Sequence, residues 1–201
     1  YKLAVFMTLF IQAFRMGAEP FFFNHSDKEN ATQTYATILK YFTIVGTLGL
    51  MIVIIYIDLL RPIFIKKESY LLALDIVPIV LLANLCLGIY HNLSIWYKLT
   101  DRTRFGMYIS LIGAAITIGF NIVFIPKIGF MACAYATLFA YGFMMVISYF
   151  LGKKYYPVPY HISRIAMYLL ISTILSFVTY YPLDRNMLLG TVFLLLFVAL
   201  I

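Results

Sequence analysis

Thr8, Gln12, Arg15 and Glu19 recur at i, i+4, i+7 and i+11 in a segment that is otherwise mostly apolar. At roughly 100° per residue they fall on one helix face. Arg15 and Glu19 lie about one turn apart, and Pro20, which cannot complete the helical hydrogen bonding, follows immediately. The chemistry such a stripe offers is anion binding, because the planar guanidinium presents N–H donors in a fork that matches phosphate or carboxylate oxygens. A charge in hydrocarbon is costly, so the stripe either faces a watery cavity or is a self-neutralising Arg15–Glu19 pair used for packing. Asn84, His91 and Lys98 form a second polar set, spaced by seven with Gly88 between them. There His91 is either a titrating group or a hydrogen-bonded structural ring. The chain contains no HExxH, Gly-rich phosphate loop, GxSxG or CxxC. The expectation is therefore a protein that is not an enzyme, with no catalytic residue, metal or organic cofactor.

Polar stripes of this kind need apolar helices to carry them. The chain is 64% apolar and 11% charged, against roughly half and a quarter in soluble domains. A bilayer core takes about 20 helical residues, and seven segments qualify: 2–23, 34–60, 70–97, 105–125, 130–151, 164–182 and 187–201. The fold class expected is all-α, a polytopic membrane protein with seven transmembrane helices. Thr32 or Thr34 is expected to cap the second helix, PKIG (126–129) to make a tight turn, and Pro78 to kink the third span. The chain starts at Tyr1 and stops at Ile201 inside an apolar run, which reads as a fragment of a longer protein.

Alternate connections lie on opposite sides of the membrane. One side carries Lys28, Lys98, Arg102, Arg104, Lys153, Lys154 and Arg164, with Lys40 nearby; the other carries Lys2, Arg61, Lys66, Lys67, Lys127 and Arg185. The richer side is expected to be cytoplasmic. This scatter, rather than a basic patch for nucleic acid, accounts for the net charge of +7. Ser110, Gly113, Ala114, Thr117 and Asn121 line one side of the fourth span, and Ala132, Ala136 and Ala140 one side of the fifth. Small residues every four positions let helices approach closely. Cys86 and Cys133, inside apolar runs, read as small packing residues, and Asp75 as either solvated or functional. SIWYK (94–98) and KKYYPVPY (153–160) read as interfacial aromatic anchors.

The segments FRMGAEPFFF (14–23), VPIVLLANLCLGIYHNLSIWYKLTDRT (77–103), ISLIGAAITIGFNIVFIPKIGFMACAYAT (109–137) and KKYYPVPY (153–160) together resemble the second half of bacterial polysaccharide-biosynthesis flippases. These belong to the multidrug/oligosaccharidyl-lipid/polysaccharide exporter superfamily (MATE-like). The resemblance implies a two-lobe transporter of roughly fourteen helices, with two six-helix lobes related by pseudo-symmetry and two extra helices at the end. Residues 1–151 would be second-lobe helices and 152–201 a terminal pair, the last one truncated, with the N-terminal lobe lying elsewhere in the same protein. It implies further that the protein sits in the bacterial cytoplasmic (inner) membrane and flips an undecaprenyl-diphosphate-linked oligosaccharide for surface polysaccharide or O-antigen assembly. A proton or a sodium ion would be the coupling ion and membrane lipid a partner. The expected cavity-facing residues are Thr8, Gln12, Arg15, Glu19, Asn84 and His91, with Arg15 on the diphosphate. A cation-coupled multidrug exporter of the same superfamily and a non-transporting subunit of a polysaccharide assembly complex are the alternatives.

Overall fold

The computed structural model describes residues 2–64, 74–183 and 185–201. Among these the chain is all-α, in the order α1 (Lys2–Asn24), α2 (Ala31–Ile55), α3 (Ile57–Phe64), α4 (Val77–Leu93), α5 (Ile95–Leu99), α6 (Arg104–Ile128), α7 (Met131–Tyr155), α8 (Ile162–Tyr180) and α9 (Met187–Leu200). The segments Ala31–Ile55, Leu74–Leu99, Arg104–Ile128, Met131–Tyr155 and Ile162–Tyr180 are long and apolar enough to cross a membrane. That is the mark of an integral membrane protein. Among the described residues, five of the seven expected spans are thus met on length and hydropathy. α1 has the length of a span but carries the polar stripe, and α9 is apolar but only 14 residues long.

Helix α2 is the centre of the bundle. Leu50, Met51 and Ile54 on it are fully buried, and it packs against α1, α4, α8 and α9. Its buried hydroxyls are satisfied within the helix: Thr43 Oγ1 donates to the Leu39 carbonyl at 2.9 Å and Thr47 Oγ1 to the Thr43 carbonyl at 2.8 Å. Threonine can therefore sit in an apolar core at little cost. From α2 the packing continues through α4 to α7 and from α7 to α6.

Several boundaries differ from the sequence reading, each for a local reason. Asn30 precedes α2 without a side-chain cap, and Thr32 and Thr34 lie inside the helix, where Thr34 Oγ1 donates to the Asn30 carbonyl at 3.0 Å. The expected span 34–60 breaks at Tyr56 into α2 and α3. Pro78 does not kink α4. It sits in the first turn, where the missing N–H has no partner to lose. Just before it, residues 74–76 run as 3₁₀ helix, and a second irregularity lies at Ser94, between α4 and α5. Residues 70–73 of the expected third span lie outside the described residues. α1 continues through Pro20 and α6 through Pro126. The expected turn at 126–129 therefore moves to Gly129, whose φ of 61° is a left-handed conformation that suits glycine.

The two small-residue stripes fare differently. Ala132, Ala136 and Ala140 are fully buried on α7, which packs between α4 and α6. On α6 only Gly113 of the predicted stripe is buried; Ser110 and Ala114 are exposed, and Thr117 and Asn121 are half-buried. Cys86 is buried as expected, but Cys133 is exposed. Trp96 is a core residue, 1% exposed, rather than a lipid-facing anchor. Asp75 accepts a hydrogen bond from the Tyr180 hydroxyl at 3.1 Å, which ties the start of α4 to the end of α8.

Candidate functional site

The two polar stripes read separately from the sequence meet in space. Asn84 Nδ2 donates to Thr8 Oγ1 at 3.2 Å, and Lys98 Nζ donates to Glu19 Oε1 at 2.6 Å. α1 is therefore pinned along α4 and α5 by a polar contact at each end of its stripe. Close approach between them is permitted by Gly88. A Cβ there would lie 2.5 Å from Cζ of Phe42 and 3.0 Å from Cγ1 of Ile11, inside van der Waals contact. Phe42 in turn lies against Phe10 and Phe14, with ring centroids 5.5 and 4.6 Å away. The three-helix junction of α1, α2 and α4 is thus aromatic packing closed over one glycine.

Just beyond that junction lies a cleft lined by Phe14, Arg15, Glu19, Gly88, His91 and Asn92, among others. Its free volume of about 10 Å³ is room for about one water. Two cations address one carboxylate at its mouth. The tighter bond to Glu19 is that of Lys98, while Arg15 Nε stands 3.6 Å from the same oxygen. Arg15 also keeps 47% of its side chain exposed, against 27% for Lys98. Glu19 is thus neutralised chiefly by Lys98, and the guanidinium of Arg15 is the group with donors to spare. Asn92 Nδ2 donates to the Gly88 carbonyl at 3.1 Å, while its Oδ1 is buried with no hydrogen-bond partner among the described residues.

Of the six residues expected at the site, Arg15, Glu19 and His91 share the cleft. Thr8 and Asn84 bond each other further along the helices, and Gln12 is exposed. The sequence reading missed Asn92, which had only its neighbour His91 to mark it, and placed Lys98 on the polar face without pairing it to Glu19. Among the described residues no three His, Cys, Asp or Glu side chains come together as metal ligands. What the arrangement offers chemically is a half-exposed guanidinium beside a cleft with room for about one water, able to meet an anion at the cleft's mouth by charge-assisted hydrogen bonds.

No family model, no curated protein and no solved structure matches the chain.

The Lys98–Glu19 bond should carry a measurable interhelical coupling. In a double-mutant cycle of Lys98→Met and Glu19→Gln, read as thermal unfolding in detergent, the expected coupling is about 0.6 kcal/mol, the mean for polar contacts between membrane helices. A coupling of zero would show that the pair does not hold α1 to α5.

Proposed function

We propose that this chain is part of a membrane transporter that flips an undecaprenyl-diphosphate-linked oligosaccharide across the bacterial cytoplasmic membrane, with Arg15 as the contact for the diphosphate. The reading is supported chiefly by one observation: Arg15 and Lys98 share a single carboxylate, so the cluster beside the cleft carries a net positive charge within an apolar helical bundle. A hydrated glycan on a lipid diphosphate cannot enter hydrocarbon unaided, and fixed cations between helices offset the phosphate charge. Glu19 then limits the grip, because a site that held the anion with both cations free would release it slowly. In the proposed cycle the cleft widens as α1 moves against its partner lobe, and a proton or sodium ion drives its return.

The Lys98–Glu19 bond at 2.6 Å and the small volume of the cleft favour a second reading. In it the polar stripes serve only to fasten helices in a membrane subunit of a polysaccharide assembly complex. Proteoliposomes loaded with a fluorescent polyprenyl-diphosphate oligosaccharide separate the two. A flippase is expected to expose the glycan to an impermeant lectin at a rate proportional to protein content. Accumulation of cationic dyes instead would point to the multidrug-exporter alternative, and neither activity would leave the assembly subunit.

A further inference from the structure

The common end of α5, α6 and α7 holds an aromatic cluster ringed by cations. Trp96 stacks on Tyr155 with ring centroids 5.6 Å apart and planes inclined by 16°. Phe105 lies 5.4 Å from Trp96 and 5.2 Å from Tyr155. The Arg102 guanidinium carbon is 4.5 Å from the Tyr155 ring centroid and Lys154 Nζ is 5.5 Å from it. Two cations at these distances from one ring lie within about 10 Å of each other. Arg104 opens α6 beside Phe105, and Lys153 lies in the last turn of α7; all four cationic residues are exposed. Among the described residues none of the four has a carboxylate within ion-pair distance, and the acidic residue adjoining them in sequence, Asp101, is exposed and likewise outside every ion pair.

The loop that carries Arg102 is held in place. Thr100 N–H and Oγ1–H both donate to the Trp96 carbonyl, at 3.0 and 2.8 Å, and Arg102 N–H donates to the Tyr97 carbonyl at 2.8 Å. A guanidinium lying over a ring keeps its N–H edges free for other acceptors. The site is therefore preorganised, cationic, lacking an internal counter-charge and placed at the ends of membrane-crossing helices, where lipid headgroups lie.

We propose that Arg102 and Lys154, which converge on Tyr155, form with Arg104 and Lys153 at the same helix ends a binding site for the phosphate of an anionic phospholipid at the membrane surface. Orientation by positive charge requires only that basic residues lie on one side. It requires neither the convergence of Arg102 and Lys154 on one ring nor the absence of carboxylate partners. The site is independent of the cleft at Arg15, and it stands or falls separately.

Trp96, the chain's single tryptophan, reports on the site from within it. In nanodiscs of graded composition, dibromo-phosphatidylglycerol is expected to quench Trp96 at lower mole fraction than dibromo-phosphatidylcholine with the same chains, with an apparent affinity about fivefold higher for each cation that engages the headgroup. Replacing all four cations by glutamine should abolish the preference while leaving quenching by the zwitterionic lipid unchanged. Equal quenching of the wild type by both lipids, or a preference that survives the fourfold variant, would overturn the proposal. Inorganic phosphate matched to the lipid in concentration is expected not to relieve the quenching. Full relief would assign the site to soluble phosphate and overturn the lipid as its ligand.

Discussion

Replacement of Arg15 by Ala in the intact protein is expected to abolish surface polysaccharide while leaving the protein at normal abundance in the membrane. The second half of that expectation follows from the geometry around Glu19. Lys98 holds its carboxylate at 2.6 Å, so removing the guanidinium 3.6 Å away leaves no unpaired buried charge. Hydrogen bonds to charged groups contribute about 1.5–3 kcal/mol each, so loss of one such bond to a diphosphate lowers affinity by roughly ten- to 150-fold. Arg15→Lys should restore transport only in part, because an ammonium is a point charge without the paired donors. Glu19→Gln releases both cations from their shared carboxylate. It is expected to tighten anion binding and slow release, with a modest loss of stability from the missing bridge to Lys98. Complementation of a strain lacking the protein, with membrane levels measured in parallel, reads all three. A fully active Arg15→Ala, or one that is inactive because it disappears from the membrane, would make the stripe a packing device and sink the substrate contact.

Ala136→Leu is expected to act in the opposite way, through abundance. Ala132, Ala136, Ala140, Met144, Ser148 and Gly152 form a buried row at four-residue spacing along α7, the helix packed between α4 and α6. Ala136 has no exposed surface, so three additional heavy atoms must push one of those helices aside, at a cost of about 1–3 kcal/mol for overpacking. Cys133 is exposed on the same helix, and Cys133→Leu serves as the matched control. Thermal unfolding and yield in detergent should fall for Ala136→Leu and remain unchanged for Cys133→Leu. Normal abundance of Ala136→Leu with altered substrate choice would instead place α7 in the transport path.

The packing role of α7 was legible in the sequence because alanine repeated at i+4 lets a neighbouring helix approach closely. On α6 the same spacing does not lead to burial, for Ser110 and Ala114 stay exposed. Spacing identifies a face; it does not say whether another helix lies against it. The boundaries at Ser94 and Tyr56 and the turn at Gly129 were displaced from the sequence reading for a related reason. Each depends on which backbone groups find partners in the folded chain, and Pro78 is tolerated in the first turn, where its missing N–H has no partner to lose.

By itself, the amino-acid sequence determined that the chain is helical and built for a membrane, because apolar runs near bilayer length leave helices as the way to satisfy the backbone. It also determined that Thr8, Gln12, Arg15 and Glu19 share one face and that Asn84, His91 and Lys98 share another, since helical periodicity alone sets those angles. Only the tertiary structure decided that the two faces meet and that Glu19 is held more tightly by Lys98, 79 residues away, than by Arg15, four residues away. Helical spacing brings Arg15 within reach of Glu19 but does not align the two charges. The close approach of α1 to α4 over Gly88 sets the shorter bond, and that approach is a property of three packed helices that no single stretch of the chain contains.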